Sequence, residues 1–198
     1  MWLVAAMVMA LTCAMAFLDF VPAYLAQVCG LSASKASMYS SAMPFGSLIG
    51  LVASILFYDR FSRKQLRLVL TGTLVIASLC VLGLQLLPQL ELPRVWNLGA
   101  VLGLVFLFGV VTSPAYYIPM SIFSIEFGGP HSATLVCLID MSGFAASATF
   151  GFAASRLAAG DGGWTSFMTL LLVIGISATA FTWLFTHGEY KAARVGKG

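Results

Sequence analysis

Six apolar stretches, at about 3–26, 36–58, 68–87, 97–119, 132–156 and 165–187, take up most of this chain. Each is close to or above the ~20 residues that a helix rising ~1.5 Å per residue needs to cross a ~30 Å hydrocarbon core. The connections are short, with the one at 59–67 the most polar, and nothing is left over for a water-soluble domain. Only 9% of the residues are charged while 60% are hydrophobic. An ordinary soluble domain carries about 25% charged residues, so this chain cannot build a polar skin. The periodicity is helical, without the two-residue alternation of ten-residue barrel strands. The expected fold is therefore an all-α membrane protein, residues 1–198 forming one six-helix transmembrane unit.

The same numbers exclude other classes. A net charge of +3, small and clustered, does not suit nucleic-acid binding. The first stretch lacks the basic leader of a signal peptide. Met1-Trp2 enters the apolar run at once, which leads us to expect a piece of a longer protein. Cys13, Cys29, Cys80 and Cys137 sit in or beside spans without metal-ligand spacing, as small apolar residues do. Neither metal nor cofactor is expected.

Basic residues set the expected orientation. Six spans place both termini on one side, with the connections after spans two and four. That side holds Arg60, Arg63, Lys64, Arg67, Lys191, Arg194 and Lys197; the other holds Lys35, Arg94 and Arg156. Lys and Arg favour cytoplasmic loops, so both termini are expected in the cytoplasm of a multi-pass membrane protein.

Charges inside a membrane are costly and usually face a cavity or a partner. Asp19 and Asp140 are the acidic residues clearly within spans, offset in expected depth by ~10 Å at helical rise. Prolines and hydroxyls share their distribution: Ser37, Ser40, Ser41 and Pro44 in span two, and Thr112, Ser113, Pro114, Tyr116, Tyr117 and Pro119 in span four. Spans three and six have no mid-span charge or proline. Polarity thus predicts spans one, two, four and five as an inner set around a cavity, with Asp19, Tyr116, Tyr117 and Asp140 as its candidate lining. Small residues at four-residue spacing, Gly46/Gly50, Gly99/Gly103 and Gly143/Ser147/Gly151, predict close helix packing.

The run Asp59-Arg60-Phe61-Ser62-Arg63-Lys64 resembles the loop signature G-x-x-x-D-R-x-G-R-K of the major facilitator superfamily, with Ile55 and Ser62 in place of its two glycines. The resemblance implies that Asp59, Arg60, Arg63 and Lys64 form a conformational switch. Asp19-Phe20-Val21-Pro22-Ala23-Tyr24-Leu25 through Gly30-Leu31-Ser32 is similar to the seventh helix of the organophosphate antiporter family, D-W-x-P-x-Y-L-x-E-x-x-G-x-S. That family includes glycerol-3-phosphate and glucose-6-phosphate transporters. Glu126-Phe127-Gly128-Gly129-Pro130-His131 and Gly163-Trp164-Thr165-Ser166-Phe167 are similar to later parts of the same half. Two positions depart from the pattern: Ala14 stands where many members carry a phosphate-binding arginine, and Gln27 where an acid is usual.

The resemblance implies the C-terminal six-helix half of a secondary transporter, moving a small organic anion or sugar-phosphate-like solute by alternating access. Its implied partners are that solute, the lipid bilayer, and an N-terminal half or a second copy. Because no Lys or Arg lies mid-span, this half lacks the positive charge that offsets desolvation of a phosphate dianion. The alternative is a transporter-derived sensor or an inactive truncated protein. An enzyme is not expected: there is no H-E-x-x-H, and no histidine lies mid-span to activate Ser142. His131 and His187 flank spans, where solvated or interfacial positions are expected.

Overall fold

The computed structural model describes residues 2–57, 60–90, 93–160 and 162–195, without the side chains at 63, 94, 119–128 and 188–195. The first span is α1 (Trp2–Met15) with α2 (Phe17–Val28), and the second is α3 (Ala33–Ser40) with α4 (Ala42–Phe57). Spans three to six are α5 (Arg63–Leu86), α6 (Arg94–Gly128), α7 (Ser132–Ala159) and α8 (Gly163–Val195). No strand occurs among the described residues. Six helical spans are long and apolar enough to cross a membrane, as expected for a multi-pass integral membrane protein. Helices α6 and α8 continue past residues 119 and 187, where the apolar stretches stop.

The breaks and starts have local causes. Pro44 cannot donate to the Ser40 carbonyl, and the second span breaks at Ser41. There the Ser40 and Ser41 hydroxyls donate to the carbonyls of Ser37 and Met38, each at 2.6 Å. The first span breaks at Ala16, whose carbonyl accepts from the Asp19 N–H at 3.1 Å in a tightened turn. Gly30, at φ 63°, lets the chain reverse after α2. Ser62 begins α5 with a capping box: its hydroxyl accepts from the Gln65 N–H at 3.3 Å, and Gln65 Oε1 accepts from the Ser62 N–H at 2.9 Å. A glycine there would keep the N–H that donates to Gln65 but lose the hydroxyl that accepts from the Gln65 N–H.

Lipid is as apolar as leucine, so burial of apolar surface does not drive these helices together; packing and interhelical hydrogen bonds do. The closest seam joins α4 to α6. A Cβ on Gly46 would strike the Phe106 carbonyl, one on Gly50 the Val110 carbonyl, and one on Gly109 the Met43 carbonyl. Pro114 deprives the Val110 carbonyl of its intrahelical donor, and the bare Gly50 Cα is what meets it. Gly143 of α7 likewise faces Thr12 of α1, whose Oγ1 would lie 2.6 Å from an added Cβ. Gly99, Gly103 and Gly151 differ from expectation: nothing lies within 4 Å of where their Cβ would be.

The pattern of neighbours has an internal symmetry. Exchanging spans one, two and three for four, five and six maps α1–α7 onto α4–α6, and α1–α8 onto α5–α6; it returns α5–α8 and α1–α6 to themselves. Among the described residues only the α7–α8 pairing lacks a comparable counterpart. The sequence echoes this. Pro22-Ala23-Tyr24 and Pro114-Ala115-Tyr116 occur in the first and fourth spans. Because consecutive spans alternate direction, the two triplets are inverted relative to each other, an arrangement typical of transporter folds.

Burial within this chain differs among the spans that polarity groups as one inner set. Half of the first span is buried, but only 17% of the second and of the fifth. Two of the serines that made span two look inward, Ser40 and Ser41, serve its own carbonyls. Its free face carries Phe45, Leu48, Val52 and Ile55, and that of α7 carries Leu138, Met141, Phe144 and Phe152. Spans three and six pair with each other and cover spans one and four from behind.

Candidate functional site

The polar groups that the fold brings together lie where α1, α6 and α7 meet. Thr12, the one hydroxyl in α1 (WLVAAMVMALTCAM), is buried and donates to the Val8 carbonyl at 2.7 Å. Bonding back to its own helix leaves its lone pairs available, and the half-buried Tyr116 hydroxyl is within hydrogen-bonding reach of them. Asp140 is close enough to Tyr116 to interact electrostatically. It is also half-buried, one turn before Gly143, the residue whose missing side chain lets Thr12 approach α7. Tyr117 completes the patch, 44% exposed, with its ring edge-on to Tyr116 at 5.0 Å. Two phenols, a threonine hydroxyl and a carboxylate therefore lie together where the three helices meet, the phenols within the last turn of the Val95–Ile118 span.

Three of the four expected lining residues, Tyr116, Tyr117 and Asp140, are thus neighbours. The fourth is elsewhere. Asp19 is exposed on α2, seven residues along from Thr12 and so ~10 Å away in depth. Thr12 was missed because a lone threonine in an apolar helix ordinarily bonds to its own backbone, as this one also does. Its signal was its isolation.

No family model, curated protein or solved structure matches this chain.

Geometry alone must therefore assign the remaining candidates. Asp59 lies outside the described residues, as does the side chain of Arg63, so the expected switch loop is seen only in part. Arg60 is exposed, its guanidinium 5.8 Å from the centroid of the Phe57 ring, and Lys64 is exposed in the first turn of α5. Gln27 joins the first span to the sixth by accepting from Trp164 Nε1 at 2.9 Å. His187, expected to be solvated or interfacial, is half-buried; its Nδ1 accepts from Arg67 at 3.0 Å and its ring stacks on Trp183 at 5.1 Å.

The opposite end of the first span is closed by aromatic packing. Phe17 meets Phe108 edge-on at 5.6 Å and Phe167 at 6.0 Å, and Phe20, Phe150 and Trp164 pack in turn on Phe167. Tyr24 is fully buried and donates to the Leu84 carbonyl at 2.7 Å. That carbonyl would normally accept from residue 88, which is a proline. The tyrosine supplies the donor that Pro88 lacks. Among the described residues no group of three or more His, Cys, Asp or Glu is placed to hold a metal. The four cysteines are free, and burial pushes the Cys29 thiol above its ordinary pKa.

Proposed function

We propose that this bundle is one half of a secondary transporter of the major facilitator type, moving a small polar solute or organic anion by alternating access. The observation that carries this reading is the inverted three-plus-three arrangement, with a polar patch from Thr12, Tyr116 and Asp140 where its two triplets meet. Transporter sites lie at such repeat interfaces near the bilayer midplane. The Asp59–Lys64 loop and the Asp19–Ser32 block resemble the corresponding parts of organophosphate antiporters.

The patch offers hydroxyls and a carboxylate but no cation. It suits the hydroxyl-bearing part of a solute; charge for a phosphate or carboxylate would come from a second six-helix half or a second copy. Both termini and the Arg60–Arg67 cluster are assigned to the cytoplasmic side by their excess of basic residues.

The test is uptake into proteoliposomes holding the full-length protein, with sugar phosphates, inorganic phosphate and the parent sugars as substrates. Transport of one class, reduced at least tenfold by Tyr116→Phe or Asp140→Asn, supports the reading. Absence of uptake for every class, or uptake indifferent to both changes, removes the patch from the mechanism. Cysteine labelling checks topology: positions 64 and 94 must react from opposite sides.

A further inference from the structure

We propose that the groove between α5 and α8 is a binding site for an anionic phospholipid, its acyl chain lying in the groove and its phosphate on Lys64, Arg67 and His187. The groove is open on its outer side and offers about 710 Å³ between Val75, Leu79 and Leu82 on one helix and Leu172, Ile176 and Trp183 on the other. It exists because the two antiparallel helices approach closely at small residues: a Cβ on Gly175 would lie 2.9 Å from Ser78 Oγ. The larger side chains on either side of that contact form walls.

Its length fits one leaflet. From Thr71 to Leu82 the groove follows α5 for ~16 Å at helical rise, about half of a ~30 Å hydrocarbon core. Helical spacing continues both walls into charge. On α5 the stripe Leu82, Leu79, Val75, Thr71 runs on to Arg67 and Lys64; on α8 the stripe Ile176, Thr179, Trp183 runs on to His187. Arg67 and His187 are bonded to each other across the groove's end at 3.0 Å, and Lys64 is exposed one turn beyond. Basic pockets between transmembrane helices recognise lipid phosphates, and an indole at the same level suits the interfacial layer.

Other occupants fit less well. A partner helix laid along the apolar walls would leave the basic end at Lys64, Arg67 and His187 unused. A soluble anion would leave the apolar walls unused.

The test titrates the full-length purified protein with phosphatidylglycerol and phosphatidylcholine of identical acyl chains, counting bound lipids by native mass spectrometry. One phosphatidylglycerol per chain is expected, held at least tenfold more tightly than phosphatidylcholine. Lys64→Gln, on an exposed side chain, is expected to weaken phosphatidylglycerol about threefold, and Lys64→Gln with Arg67→Gln at least tenfold, with phosphatidylcholine unchanged in both. Leu79→Trp, which fills the groove, is expected to weaken both lipids. Equal affinity for the two lipids, or indifference of phosphatidylglycerol to Lys64→Gln and to Leu79→Trp, overturns the proposal. Competition by glycerol phosphate at the lipid's own concentration would also overturn it, because the groove would then contribute nothing.

Discussion

The two Pro-Ala-Tyr segments put the same three residues in two inverted helices, yet their tyrosines do different work. Tyr24 is fully buried and spends its hydroxyl on the Leu84 carbonyl that Pro88 leaves without a donor. Tyr116 is half-buried, with Thr12 within reach of its hydroxyl and Asp140 near enough to interact electrostatically. The prolines diverge as well. The carbonyl freed by Pro114 is covered by the bare Cα of Gly50, whereas Pro22 lies six residues beyond a break in its own span. One copy is a fastening; the other, on the proposed reading, is a surface that can exchange partners. A tyrosine tied to an orphaned carbonyl in lipid cannot let go cheaply; one beside a threonine that already has a partner is not held in that way.

The sharpest way to break this contrast is at the seam beneath the second copy. Gly50→Leu sets a branched side chain against the α6 backbone, where no flexible group can yield. We expect a loss of about 3 kcal/mol or more in the stability of the folded bundle, measured by steric-trap unfolding in bicelles. Tyr24→Phe comes next. It leaves the Leu84 carbonyl unsatisfied and is expected to cost about 1–3 kcal/mol in the same assay, with uptake per folded molecule unchanged.

Tyr116→Phe should give the reverse outcome. A stability change below about 1 kcal/mol is expected, within the range of single interhelical hydrogen bonds in membranes, with at least a tenfold loss of uptake. If both tyrosine variants lose stability equally and keep their uptake, the two copies do not differ in role. The smallest effect is expected from Gly103→Ala, at a position with open space around it. There the bundle should gain a little stability, up to about 1 kcal/mol, from helix propensity alone.

Much of this was legible in the residues. The six spans follow from apolar run length, and the structure's candidate spans, from Trp2–Val28 to Gly163–His187, match them to within a few residues. Tyr116, Tyr117 and Asp140 stood out as polar groups in apolar surroundings, and they are neighbours. Asp19 stood out for the same reason but lies on an exposed face at another depth. Polarity marks a residue as costly in lipid; it does not say which neighbour relieves the cost. Ser40 and Ser41 made span two look cavity-facing, when each serves a carbonyl of its own helix. Glycine spacing had the same ambiguity: Gly46 and Gly50 meet backbone, whereas Gly99 and Gly103 meet open space.

The sequence by itself determined the solvent of this protein, the number of its spans and the end of the bundle that carries the basic residues. Those properties depend on sums over local stretches: hydrophobic length, and charge per connection. The tertiary structure alone decided that Thr12 joins Tyr116, that Tyr24 completes what Pro88 cannot, and that His187 meets Arg67 across 120 residues of chain. These are pairings between distant segments. In a bilayer they are fixed by which small residues let two backbones approach, a property of two helices together that neither carries alone.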